Sequence, residues 1–355
     1  MINRGATLVS HLVVVITILL NLTACGGGGG GDGFYDKDNT SSGPVFYDNG
    51  SSGSNPAQLT LGFSDALPED LKQVVIEVDS ITFRSVEAAD VVVDNFTISE
   101  LNLVNAPTFQ VDLLKYPGIS QLLVIEGFEL ATGLYTEVSI TILTGGVNQS
   151  YVQQDDDTFR AIEQPSGVLT LPGMQLASGA QRFTVEFGLA QALQYQASTG
   201  NYLLTTNGLR IENDQTAATL SGSIDSSLFN SVLPCSEKID PQSGNRAYLY
   251  EGISLLPENL ADVFTLESTT AIPANAIAPF AVASIAENTL TGSWNYSFGY
   301  IPAGSYTIAF ACNTATDDSV EYNSLVIPLP ANQTYEISLS ESQNGVCKLS
   351  TEGNC

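Results

Sequence analysis

Apolar and polar residues alternate with a period of two along most of this chain, and no other feature limits its fold as strongly. Leu59, Leu61 and Phe63 alternate with small or polar neighbours, and Val74, Ile76 and Val78 alternate with Gln73, Glu77 and Asp79. The pattern returns at Phe109, Val111 and Leu113, at Val138, Ile140 and Ile142, and at Phe183, Val185 and Phe187. Successive side chains of a strand point to opposite faces. This spacing therefore predicts antiparallel strands with one face in a core and the other in water. Turn chemistry separates the runs at Asp65-Ala66-Leu67-Pro68, Tyr116-Pro117-Gly118, Gly145-Gly146 and Pro165-Ser166-Gly167. No long segment carries a 3.6-residue period, and only Leu189 to Tyr195 reads as a short helix. The expected fold is all-β, a β-sandwich.

A second block of strands begins near Thr219. It comprises Leu220 to Ile224, Arg246 to Glu251, Trp294 to Tyr300, Tyr306 to Ala311 and Tyr335 to Leu339, with the Pro- and Ala-rich residues 271–283 as a loop. This predicts two β-sandwich domains, 58–214 and 215–340, followed by a polar tail over 341–355. Gly133-Leu134-Tyr135-Thr136 and Gly304-Ser305-Tyr306-Thr307 form an internal echo. In each, glycine is expected to allow the turn and tyrosine to open a strand with its ring inward.

The N-terminus has a different character. Arg4 precedes the apolar run Leu12 to Leu20, and Leu22-Thr23-Ala24-Cys25 closes it. The run is short of the ~20 apolar residues that a membrane-spanning helix needs, and it has the layout of a secretion signal over 1–24. Its end resembles the lipobox of bacterial lipoproteins, which implies cleavage before Cys25 and diacylation of its sulfur. Gly26 stands where an inner-membrane retention signal carries aspartate, which implies the outer membrane. Residues 26–57 hold ten glycines and five serines, the composition of a tether with an r.m.s. span of ~30 Å. The Gly26 to Gly31 run matches a dinucleotide fingerprint only trivially, since no strand precedes it and no helix follows.

Charge and residue inventory exclude several functions. The formal charge is −27, and loss of the leader with Arg4, its single basic residue, makes it more negative. Such a chain repels nucleic-acid phosphates and anionic headgroups, so lipid rather than a basic patch must hold it at a membrane. The only histidine, His11, lies in the leader. That excludes histidine-based triads and histidine-ligated zinc from the exported part, and no G-x-S-x-G or C-x-x-C motif occurs. Paired carboxylates remain open to glycoside hydrolysis as a remote alternative.

With Cys25 assigned to lipid, Cys235, Cys312, Cys347 and Cys355 form an even set in an oxidising compartment. Three connectivities exist. Local closure favours 235–312 with 347–355, and free thiols remain the other reading. Asp155-Asp156-Asp157 offers oxygens for Ca²⁺ but lacks calcium-loop spacing, so a solvated loop tip is the alternative. Asp317-Asp318 reads the same way, and Asp32, Asp36 and Asp38 read as solvation of the tether. Trp294, Tyr296, Phe298 and Tyr300 share one strand face, either as core or as an exposed platform for stacking on sugar rings.

Two resemblances follow. Leu61-Gly62-Phe63-Ser64-Asp65-Ala66 with Val74 to Val78 resembles the opening of the bacterial lipoprotein family called domain of unknown function 4382. Phe109 to Leu114, Gly133-Leu134-Tyr135, Pro165-Ser166-Gly167 and Leu209-Arg210-Ile211 follow in that family's order, over about 58–212. The chain departs at Phe187-Gly188-Leu189, where the family often has Phe-Asp-Leu, and at Thr206-Asn207, where it has Lys-Pro. The family implies no established activity. Ile301-Pro302-Ala303-Gly304-Ser305-Tyr306-Thr307-Ile308 resembles transthyretin-like or carboxypeptidase-regulatory sandwiches, which implies an accessory or binding module. The resulting expectation is a lipid-anchored, non-catalytic surface module of unknown ligand, with a calcium-dependent adhesion or matrix component as the alternative.

Overall fold

The computed structural model describes residues 56–65, 71–230, 232–241, 243–288, 290–351 and 355. The leader, Cys25 and all but the last two residues of the expected tether lie outside them. The fold is all-β. Gly53–Cys355 is one compact unit. Among the described residues no helix is long and apolar enough to cross a membrane.

Two sheets enclose the first core. One has the order Arg210–Asn213, Gly179–Glu186, Ala57–Ser64, Leu122–Leu130. In the other, the long strand Leu71–Ser85 lies between Gly133–Leu143 and Tyr151–Gln154, and the sheet runs on through Phe159–Glu163 and Asn201–Leu204 to Leu193–Gln196. Leu59, Leu61, Phe63 and Val185 from the first sheet meet Ile76, Val78, Phe83, Val138 and Ile140 from the second. The alternating residues thus bury the face that the sequence assigns to them. Ala57–Ser64 pairs antiparallel with Leu122–Leu130 but parallel with Gly179–Glu186, which local pattern does not reveal.

The second core lies between a sheet ordered Ala286–Asn288, Ser293–Ile301, Ala218–Ile224, Asn344–Val346 and another ordered Ala281–Ser284, Arg246–Glu251, Gly304–Ala311, Thr334–Leu339. Leu220 and Phe298 meet Leu249, Ile308 and Phe310 there. Tyr248, Tyr250 and Val282 are buried on the outer face of the second sheet, against Leu260, Val263 and Ile327. That covering explains why Arg246–Glu251 reads as continuously apolar rather than alternating.

Several expectations change. The stretch read as a polar tail supplies Asn344–Val346, which pairs parallel with Ala218–Ile224, and it buries Cys347 and Leu349 completely. The loop expected over 271–283 ends in the strand Ala281–Ser284. The expected helix stops at Ala192 and continues as the strand Leu193–Gln196. The echo is real in geometry. The Tyr135 hydroxyl donates to the Ala131 carbonyl at 3.0 Å, and the Tyr306 hydroxyl donates to the Pro302 carbonyl at 2.8 Å, each four residues upstream with the ring buried. Its glycines differ. Gly133 has φ 141°, whereas Gly304 shows no positive φ, and a Cβ there would stand 3.3 Å from the Tyr306 ring.

Candidate functional site

Leu193–Gln196 and Asn201–Leu204 form a hairpin closed by Gly200 at φ 72°. Glycine takes that left-handed conformation without the Cβ clash that opposes it elsewhere. The register places Tyr195 opposite Tyr202, and their rings lie 5.2 Å apart at 58°. Tyr202 is buried, while Tyr195 is 47% exposed. Gln154 Nε2 donates to the Tyr202 hydroxyl oxygen at 3.1 Å, and Arg160 Nε donates to Gln154 Oε1 at 3.3 Å. Burial pushes the Tyr202 hydroxyl above its ordinary range, so it stays protonated and can itself donate.

Residues 315–319 face this hairpin across a cleft of about 460 Å³. Asp317 and Asp318, read from sequence as a solvated tip, do structural work instead. The Asp317 carboxylate is buried. It accepts from Arg246 Nη1 at 2.9 Å, from the Tyr248 hydroxyl at 2.6 Å and from the Val263 N–H at 3.1 Å. Desolvation nevertheless raises its pKa. Asp318 Oδ1 accepts from the Val320 and Glu321 N–H groups at 2.8 and 2.9 Å, and from Gln194 Nε2 at 2.9 Å, which ties the two walls together. Ser319 is 3% exposed and lines the same cleft, and its hydroxyl has no hydrogen-bond partner among the described residues. A buried hydroxyl left unpaired costs ~1–3 kcal/mol, so such a group marks a place that a ligand or water can satisfy.

A second charged cluster sits where the two pairs of sheets meet. Arg210 Nη2 lies 3.8 Å from Glu186 Oε1, and Arg210 Nε lies 3.9 Å from Glu212 Oε1. Its guanidinium carbon is 5.1 Å from the centroid of the Phe280 ring. Burial outweighs the arginine and pushes both carboxyls up to about 7. Raised carboxyl pKa values often mark catalytic acids. Here Glu186 is completely buried, Glu212 is partly buried, and the cation stands beside both carboxylates.

The residues singled out in the sequence meet different outcomes, and the disulfide pairing that local closure favours is the one found. The structure joins Cys235 to Cys312 and Cys347 to Cys355. Asp157 Oδ1 accepts from Lys72 Nζ at 2.9 Å and from Gln153 Nε2 at 3.1 Å, and Asp156 Oδ1 accepts from the Thr158 N–H at 3.0 Å. No metal-holding group of three or more His, Cys, Asp or Glu side chains occurs among the described residues. Tyr296 is 3% exposed and donates its hydroxyl to the Cys347 carbonyl at 2.9 Å, and the Trp294 ring lies 4.7 Å from that of Phe229, tilted by 43°. Tyr296 and Phe298 belong to the core that the facing sheet covers, while Trp294 is only partly buried beside it. Tyr300 leaves the stripe. A bulge between Ala218 and Leu220 puts it at φ 47°, and its hydroxyl reaches the Ile119 carbonyl at 2.8 Å.

The helix expected over Leu189 to Tyr195 hides this cleft in the sequence, because the strand Leu193–Gln196 takes its second half. The signal for the hairpin was present. Gln194-Tyr195-Gln196 alternates, and the apolar run Tyr202-Leu203-Leu204 follows the turn pair Thr199-Gly200.

Residues 56–206 match the family model Domain of unknown function (DUF4382). No curated protein matches the chain significantly. Among solved structures, the Bacillus anthracis TIE protein is similar at 10% identity and TM-score 0.18, over 84% of this chain and 34% of that one. A leucine-rich repeat protein from Bacteroides thetaiotaomicron is similar at 11% identity and TM-score 0.17, over 85% and 26%. A fimbrial protein from Bacteroides ovatus is similar at 10% identity and TM-score 0.16, over 85% and 50%. The chain thus spans about a third or less of the length of the first two.

Proposed function

Starting from a chain whose residues 56–206 are a domain of the DUF4382 family, we propose that it is an exported, lipid-anchored recognition module that binds a partner at the Tyr195–Ser319 cleft and turns over no substrate. One observation carries this reading. The cleft's carboxylates are already engaged by the fold, since Asp317 holds Arg246, Tyr248 and the Val263 N–H, and Asp318 holds Gln194 and two backbone N–H groups. A general acid or base must reach the proton that it moves, and these carboxylates are held by partners of the fold. The groups that remain open to a ligand are an exposed ring and neutral hydrogen-bonding atoms, which suit binding. The absence of histidine after His11 supports the same reading.

Anchoring through Cys25 belongs to this proposal and has its own test. Cys25→Ala is expected to abolish palmitate labelling and to release the chain from the membrane fraction. A variant that still labels and sediments refutes the anchor. Gly26 after the cysteine supports an outer-membrane location.

The test of the non-catalytic reading is hydrolysis of glycoside, ester and peptide substrates by the purified chain, together with its binding to envelope fractions. Binding without turnover is expected. Turnover that vanishes when one Asp or Glu is changed, with the fold intact, overturns the reading.

A further inference from the structure

We infer that the ligand of the Tyr195–Ser319 cleft is a neutral saccharide, a glycan end of one or two sugar rings. The inference rests on the recognition reading above and names the chemistry of its ligand. Sugar rings present an apolar C–H face and a periphery of hydroxyls that both donate and accept. A matching site needs an exposed aromatic face and neutral groups of both kinds, within a cleft of the size that small ligands use, ~300–1,000 Å³. This cleft has about 460 Å³. Tyr195 offers a half-exposed ring braced from behind by Tyr202. Bracing fixes the ring before a ligand arrives, so little side-chain entropy is lost on stacking.

The polar complement is neutral. Ser319 is a lining residue whose buried hydroxyl has no hydrogen-bond partner among the described residues, so a ligand hydroxyl that reaches it gains a bond the fold leaves unmade. Gln194 Nε2 is held by Asp318, which fixes the amide and gives its oxygen a defined direction. The charged groups of the lining are already paired. Arg246 is bound to Asp317 at 2.9 Å, so it does not stand ready for a phosphate, sulfate or carboxylate. Asp317 and Asp318 hold donors of the fold, so a lysine- or arginine-rich peptide finds no uncommitted carboxylate in this lining. An anionic ligand would also meet the field of a chain carrying a net −27. What remains is recognition of hydroxyls and of an apolar ring face.

The experiment titrates the full chain, purified in detergent, with cellobiose, maltose, lactose and N,N′-diacetylchitobiose. Binding is read by saturation-transfer difference NMR and calorimetry. At least one disaccharide is expected to bind saturably, with its ring C–H protons receiving the transfer. Tyr195→Ala should weaken that binding about tenfold or more, the weight of one stacked ring. Tyr195→Phe should keep it, and Ser319→Ala should weaken it while the circular dichroism spectrum is unchanged. Trp294→Phe, at a partly buried position outside the cleft lining, should leave it unchanged. The proposal is overturned if none of the four sugars binds, if binding survives Tyr195→Ala, or if oligolysine binds in their place with the same Tyr195 dependence. Loss of sugar binding with envelope binding retained defeats the saccharide while leaving the recognition reading intact. Hydrolysis of a bound sugar defeats the recognition reading instead.

Discussion

Arg210 Nη2 donates to the Gly299 carbonyl at 3.1 Å, joining the last strand of the first sheet pair to the bulged strand of the second. The bond works with its surroundings. The same guanidinium faces Glu186 and Glu212 and lies over Phe280, and Arg210 Nε points at the Tyr300 carbonyl at 3.5 Å. This buried cation thus adds to the bonds between the two halves and faces one buried and one partly buried carboxylate.

Arg210→Ala should therefore cost more stability than loss of one hydrogen bond. Removing one partner of a buried ionic cluster strands the others and costs about 3–5 kcal/mol. Urea denaturation is the measurement. A loss under about 1 kcal/mol, the size of an exposed ion pair, would show that the cluster does not hold the halves together.

The pH dependence follows from the carboxyls that burial has raised. Glu186 and Glu212 titrate near 7 and Asp262 near 6 in the folded chain, against ordinary values of 4.5 and 3.8. Between the ordinary and the raised values the folded chain keeps protons that the unfolded chain releases. Stability is then fully present below that window and falls as pH rises through about 7. The melting temperature should be higher at pH 5.5 than at pH 8, and Glu186→Gln should flatten the difference. A melting temperature that rises from pH 5.5 to pH 8 contradicts the burial of these groups.

Gly299 is required for another reason. A Cβ there would stand 2.0 Å from the Gly118 carbonyl oxygen, backbone against backbone. Gly299→Ala must push the strand off the 118 turn and should cost about 1–3 kcal/mol. Gly146→Ala, where nothing lies within 4 Å of the added atom, is the control and should stay within ~0.5 kcal/mol of the parent. Equal effects at both sites would remove the close approach as the cause.

The two disulfides should contribute unequally. Cys235–Cys312 spans 77 residues and Cys347–Cys355 spans 8. In the chain-entropy account they are worth ~4–5 and ~2–3 kcal/mol. Calorimetry of the two double Cys→Ala variants should show the larger fall for the first pair. Peptide mapping without reductant that links Cys235 to Cys347 would overturn the pairing.

Sequence by itself determined the strands and their buried faces. Leu59, Leu61, Phe63 and Phe183, Val185, Phe187 point to the core because a period of two admits one buried face. Tyr135 and Tyr306 open their strands as the echo requires, since the bond from each hydroxyl closes within four residues. Local periodicity carries no information about which strand lies alongside. The parallel pairings of Ala57–Ser64 and Asn344–Val346 were therefore settled only by the tertiary fold. The same holds for Tyr300, which a bulge against Ala218 turns out of the aromatic stripe, and for Asp317, whose charge lies deep because Arg246, 71 residues earlier, arrives beside it. Whether a carboxylate is solvated or buried depends on the partner that long-range packing brings to it, and the residues on either side of it in sequence do not supply that partner.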